Sequence, residues 1–142
     1  MQRSFFKYQA TGNDFILVDN RMGQFPKKDT NTIARLCHRR FGIGADGLIL
    51  LETDKSTDFR MVYFNADGRE GSMCGNGGRC IAAFAKHLGL IEDSCRFTAI
   101  DGVHEAHLGE GKVSLQMQDV AEIHATPRYL WLDTGSPHHV QL

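Results

Sequence analysis

Apolar positions along this chain fall into short strand-like runs around two stretches of helical period. Phe5, Phe6 and Tyr8 predict a first strand and the run Phe15 to Val18 a second, joined by a turn at Thr11, Gly12 and Asn13. From Asp29 the period changes. Ile33, Leu36, Cys37 and Phe41 recur near helical spacing, and Asp29 or Thr30 can cap the helix. Arg39 and Arg40 fall in its last turn, where cations suit the dipole, and Gly42 is the stop. Leu48 to Leu51 and Phe59 to Phe64 read as strands, followed by a turn at Asn65-Ala66-Asp67-Gly68. A second helix is predicted over about Asn76 to His87, with Ile81, Phe84 and Leu88 on its core face and Gly89 ending it. Strands follow around Arg96 to Ile100, Val103 to Leu108 and Lys112 to Gln118. In the last, Val113, Leu115 and Met117 point one way and Lys112, Ser114 and Gln116 the other. Interleaved strands with two helices give an α+β or α/β fold class.

The tail changes this picture. Tyr129 to Leu132 and His139 to Leu142 look like strand starts on either side of Thr134-Gly135-Ser136-Pro137. Strands there need partners, so the expectation is a piece of a longer protein, or one half of a two-part fold. Residues 1–118 would form a first domain and residues 119–142 the start of an incomplete second one.

Composition narrows the class. A chain of 142 residues with 42% hydrophobic and 23% charged residues reads as soluble and globular. Its net charge of −1 lacks the basic footprint of a nucleic-acid binder. The longest apolar run, Ile81 to Ala85, is far too short for a membrane helix. Met1 to Tyr8 contains no signal-peptide apolar region, so the cytoplasm is the expected location. The four cysteines are too few for a disulfide scaffold and are read as thiols.

Several motifs have plain explanations. Gly42-Ile43-Gly44-Ala45-Asp46-Gly47 has the spacing of a dinucleotide loop, but a helix precedes it and a strand follows, the reverse of that order. Its glycines read as a tight connection with positive φ angles. Gly109-Glu110-Gly111-Lys112 reads as a hairpin loop. His104 and His107 stand three apart, on opposite faces of a strand, and read as solvated residues rather than metal ligands. Cys74 and Cys80 are too far apart for a zinc pair, and no second pair follows.

The dense stretch is Asn65 to Cys80. Five of the fifteen glycines lie between Gly68 and Gly78. Glycines let backbone approach a ligand and turn its amides inward. Cys74 stands just before Gly75 and Asn76, where the second helix begins. A helix N-terminus activates a thiol and offers free N–H groups to an anion. One short segment thus presents a reactive sulfur beside a carboxylate-binding nest, against the plainer reading of a Gly-rich loop with an inert cysteine. Cys37, Cys80 and Cys95 sit on apolar stripes or in a strand and read as structural.

Thr11-Gly12-Asn13-Asp14-Phe15, Phe41 to Gly47, Phe64 to Gly68 and Met73 to Cys80 together resemble, in this order, the N-terminal half of the diaminopimelate epimerase family. Gly135-Ser136-Pro137-His138 resembles that family's Gly-Asn-Pro-His segment. The resemblance implies two pseudo-symmetric halves, each a curved mixed or antiparallel sheet wrapped around a central helix, with the site between them. It implies interconversion of LL- and meso-2,6-diaminopimelate, on the route to lysine and peptidoglycan, without pyridoxal phosphate or metal. Two thiols on opposite faces of the α-carbon would move the proton. On matching positions, Cys74 would be one thiol, and Gly75 and Asn76 would hold the α-carboxylate through helix-terminal amides. Asn13 and Asn65 would touch substrate, and His138 and Ser136 would support the site. The chain departs from the family at Gln9-Ala10-Thr11, at Gly47, where some members have Gln, and at Ser136, where an Asn often binds substrate. The second Cys, of a Gly-Cys-Gly-Thr-Gly motif, is not among these 142 residues. The implied partners are diaminopimelate and a C-terminal half, with a homodimer left open and no nucleic acid or membrane. Two alternatives stay open: another cofactor-independent isomerase of the same fold, of the proline racemase or phenazine-biosynthesis kind, and a non-catalytic amino-acid-binding module.

Overall fold

A computed structural model describes residues 2–141. Seven strands form one sheet in chain order: β1 (Phe6–Ala10), β2 (Asn13–Asp19), β3 (Gly47–Glu52), β4 (Phe59–Asn65), β5 (Ser94–Ala99), β6 (Gly102–Gly109) and β7 (Lys112–Leu115). The β2–β3 and β4–β5 pairs are parallel and the rest antiparallel, so the sheet is mixed. Helix α1 (Thr30–Cys37) precedes β3, and helix α2 (Gly75–His87) lies between β4 and β5. Three further strands, β8 (Ile123–Ala125), β9 (Leu130–Asp133) and β10 (Pro137–Val140), make a separate antiparallel sheet. Leu142, the last residue of the predicted final strand, lies outside the described residues.

Side-chain alternation explains the layers. Phe15, Leu17, Ile49 and Leu51 point to one face and pack against Ile81, Phe84 and Ala85 of α2. Ile16, Val18, Leu48 and Leu50 point to the other and pack with Ile33 and Cys37 of α1. Strands covered on both faces read as continuous apolar runs. Helix α2 touches both outermost strands, β1 and β7, as well as strands between them. The sheet is therefore curled around α2, the curved sheet on a central helix that the resemblance implies. The first turn of α2 approaches the sheet closely because Gly77 and Gly78, on its inner side, carry no side chains. A Cβ on Gly78 would sit 2.7 Å from Leu115 and 2.8 Å from Met73, and one on Gly77 3.1 Å from Ile49 and Met61. Tertiary packing offsets the poor helix propensity of these glycines.

The β1–β2 turn is a two-residue loop, Thr11-Gly12, with φ of +53° and +83°. That is the backbone twist a tight hairpin favours. The Gly109–Lys112 hairpin also forms as predicted.

Three expectations are corrected. Helix α1 ends at Cys37, not at Gly42, and Phe41 is 77% exposed rather than on the apolar stripe. His38 turns to extended backbone, and its Nδ1 accepts from the N–H of Arg40 and Phe41. The chain then folds back, so that the N–H groups of Ile43 and Gly44 meet Leu36 O, and that of Ala45 meets Cys37 O. A Cβ on Gly42 would lie 2.0 Å from Arg35 O, so only glycine allows the reversal. Arg39 consequently leaves the helix end and serves the β2–β3 connection. Strand β7 stops at Leu115 rather than Gln118, although Val113, Leu115 and Met117 do face the core together. His104 is buried, not solvated. It shares the inner face of β6 with Ala106, stacks on Phe97, and places Nδ1 2.8 Å from Gln116 O and Nε2 2.7 Å from Asp101 Oδ1. His107 is exposed on the opposite face.

Candidate active site

Cys74 is the N-cap of α2, with extended backbone, so its side chain folds over the first turn. Its Sγ accepts the Gly77 N–H at 3.5 Å and lies 3.7 Å from Asn13 Oδ1. The thiol is half-buried, whereas Cys37, Cys80 and Cys95 are buried. Burial pushes each of those three thiols up to about 11. The N–H groups of Gly75 and Asn76, in the first turn, have no partner inside the helix.

An open cavity of about 570 Å³ stands over this helix end. Cys74, Gly75, Asn76, Asn65, Ser136 and His138 all line it. Asn13 sits behind the sulfur, hydrogen-bonded to Asn76 Nδ2 at 3.2 Å. The structure thus brings together all seven residues singled out from the sequence. Asn65 ends β4, where the turn to Gly68 packs on α1 (a Cβ on Gly68 would meet Thr30 O at 2.1 Å). Ser136 and His138 arrive from the β9–β10 turn, which is pinned by Met73 N–H to Gly135 O at 3.2 Å and by Ser72 Oγ to Ser136 Oγ at 2.8 Å. His138 Nδ1 lies 2.7 Å from Ser136 O. A thiol, unpaired amides and carboxamides converging on one cavity can hold a carboxylate next to a group that gives and takes protons.

Sequence reasoning missed Tyr63, Ser72, Arg79 and Asp46. Tyr63 was readable, since it precedes Asn65 by two residues on β4 and so shares its face. Its ring lies where side chains at Gly47 and Gly71 would be, 2.4 and 2.7 Å from the Cβ each would carry. Burial pushes its hydroxyl up to about 12, so it stays protonated at neutral pH. Arg79 follows Asn76 by one helical turn and donates to Asn76 Oδ1. Asp46 lies in the Phe41–Gly47 motif, but nothing in the spacing there marks its carboxylate as a partner of Asn13.

Arg39, displaced from the helix, bridges Asp14 at 2.8 Å and Asp46 at 2.9 Å. Its hydrogen bond, with that of Lys7, holds the Asp14 carboxyl well below the usual carboxylate range. A carboxyl whose folded value is depressed stabilises the fold fully above its unfolded value, about 3.9, and the contribution disappears as pH falls through the lower folded value. Asp14→Asn is therefore expected to lower the urea midpoint at pH 7 and to flatten its decline below about pH 4. Parallel acid limbs for the variant and the parent would show that Asp14 carries no such linkage.

The sequence profile described as diaminopimelate epimerase matches residues 5–123. Diaminopimelate epimerase of Flavobacterium psychrophilum is 60% identical over 137 residues, covering 96% of this chain and 54% of the relative. That of Chlorobaculum tepidum is 46% identical over 139 residues, covering 92% of this chain and 54% of the relative. The chain spans about half the length of these relatives. Among solved structures, a PhzF-family phenazine biosynthesis protein of Bacillus anthracis matches with a TM-score of 0.72 over 95% of this chain and 54% of that one, at 17% identity. Methylitaconate-delta-isomerase matches with a TM-score of 0.56 over 91% of this chain and 41% of that one, at 15% identity. At those identities the likeness is one of fold. No helix among the described residues is long and apolar enough to cross a membrane. A profile match running from β1 into β8, together with close relatives covering nearly all of these residues, means that the chain belongs to the diaminopimelate epimerase family.

Proposed function

We propose that this chain supplies one thiol face of a diaminopimelate epimerase, with the other face built by a second half carrying the second Cys. The observation that carries this reading is the position of Cys74. It caps α2 inside the cavity where the Gly75 and Asn76 amides, Asn65 and Asn76 converge. In this reading the α-carboxylate of diaminopimelate sits on the amides of the helix terminus, and Asn13 and Asn65 position the substrate. Negative charge developing on the α-carbon spreads into that carboxylate, where preorganised donors stabilise it. One sulfur, as thiolate, takes the α-proton. A thiol on the opposite face delivers a proton to carbon, so that the centre inverts and each sulfur ends in the other's protonation state. No pyridoxal phosphate or metal is invoked. Residues 119–142, with the β8–β10 sheet, begin the second half in this scheme.

Stereochemistry supplies the test. A single thiol returns the proton to the face it left, so the 142-residue chain alone is expected to exchange the α-proton without converting LL- to meso-diaminopimelate. Adding the second half, in the same chain or in trans, should start conversion with deuterium incorporated at the α-carbon. Both are read by NMR in deuterated water. Robust conversion by the chain alone, or none with both halves present, would sink the proposal.

A further inference from the structure

A carboxamide is oriented by what its two ends meet, because its oxygen only accepts and its nitrogen only donates. For Asn13 the deciding neighbour is Asp46. Asp46 Oδ2 lies 2.8 Å from Asn13 Nδ2, and a carboxylate can only accept. Asn13 Oδ1 is thereby turned the other way, towards Cys74 Sγ at 3.7 Å and Asn76 Nδ2 at 3.2 Å. Asn76 is oriented independently at its own far end. The Arg79 guanidinium, a donor only, and the Thr11 hydroxyl at 3.3 Å both meet Asn76 Oδ1, which leaves Nδ2 for Asn13. Asp46 is itself held in place, with Oδ1 2.9 Å from Arg39 and Oδ2 receiving the Asp14 N–H at 3.3 Å. An anion at one end and a cation at the other thus impose a single orientation on the two amides between them.

The consequence falls on the sulfur. A carbonyl oxygen facing Cys74 takes its S–H, whereas an amide N–H in that place would support a thiolate. We propose that Asp46 is a positioning residue for the Cys74 thiol: by accepting from Asn13 Nδ2 it keeps the Asn13 carbonyl, and not its N–H, on the sulfur. The Gly77 N–H on the other side of the sulfur supplies the opposing preference. Together they give the thiol a defined acceptor and a defined donor, as a group that both releases and receives a proton requires. The inference bears on the thiol chemistry proposed above, but its test uses no diaminopimelate, so the two can fail separately.

The test is the rate of Cys74 alkylation by iodoacetamide at pH 7 in the 142-residue chain, followed by mass spectrometry of the Cys74 peptide. Asp46→Ala frees the Asn13 amide to turn its N–H to sulfur, and alkylation should quicken by roughly fivefold, the worth of about one net hydrogen bond. In an Asn13→Ala background the same substitution should change the rate by less than about twofold, since its route to the sulfur is gone. Equal effects in the two backgrounds, or no effect in either, would overturn the proposal. Asp46→Ala also removes the Arg39 contact, so folding is checked by circular dichroism and the unmodified protein is read as well. Neutron diffraction of the deuterated protein should place the Asn13 amide deuterons towards Asp46. Deuterons directed at Cys74 would overturn the assignment without any variant.

Discussion

Replacing Cys74 with alanine in an enzyme reassembled from both halves should cut LL-to-meso conversion by roughly 10²–10⁴-fold, the range for losing one positioned proton-transfer group. The fold should persist. The Cys74 thiol is half-buried, and its two polar contacts, at 3.5 and 3.7 Å, are sulfur hydrogen bonds, which are weak. The matched control is Cys80→Ala, six residues further along α2. That thiol is buried, with burial pushing it up to about 11, and it faces the core beside Phe84 and Ile81. Its loss should lower stability and leave turnover of the folded enzyme near that of the parent. Conversion that survived Cys74→Ala, or that vanished with Cys80→Ala in a protein still folded, would move the chemistry to another sulfur.

The largest effect on stability is expected at Phe84. Its side chain is fully buried in the middle of α2, with Phe6 and Tyr8 of β1 at ring-centroid distances of 5.1 and 5.9 Å. Phe84→Ala should cost about 3–5 kcal/mol, since the curled sheet cannot collapse into the space left behind. That is a large share of the roughly 5–15 kcal/mol that holds an ordinary domain together. It would be read as a lower urea midpoint at an unchanged m-value. Phe41→Ala is the informative contrast. A helix running on to Gly42 would place Phe41 on the core stripe and make its loss costly. At 77% exposure its loss should instead stay within about 0.5 kcal/mol. A large cost at Phe41, or a small one at Phe84, would contradict the way the helices are seated.

Local pattern by itself determined a good deal here. The uninterrupted apolar runs Phe15–Val18 and Leu48–Leu51, and the helical stripe of Ile81, Phe84 and Leu88, correspond to positions packed in the core, because burial of a regular element repeats with the geometry of that element. The glycine-dense segment around Cys74 was legible for the same reason: a helix start and the residue that caps it are neighbours in sequence. Motif order led to the family, and with it to the seven residues that gather at the start of α2, six of them lining the cavity and Asn13 behind the sulfur. Tertiary structure alone decided the rest, through groups far apart in the chain. Helix α1 stops at Cys37 because a returning segment takes the carbonyls of Leu36 and Cys37, which a periodic stripe cannot reveal. His104 is buried because Asp101 and the Gln116 carbonyl supply its polar partners, so an ordinarily solvated side chain is satisfied inside. The orientation of the Asn13 amide depends on Asp46, 33 positions away, and the sulfur it faces is 61 positions away. Hydrogen-bond direction is set by the identity of the group across a contact, and only the folding of β2, β3 and α2 against one another brings those groups within reach.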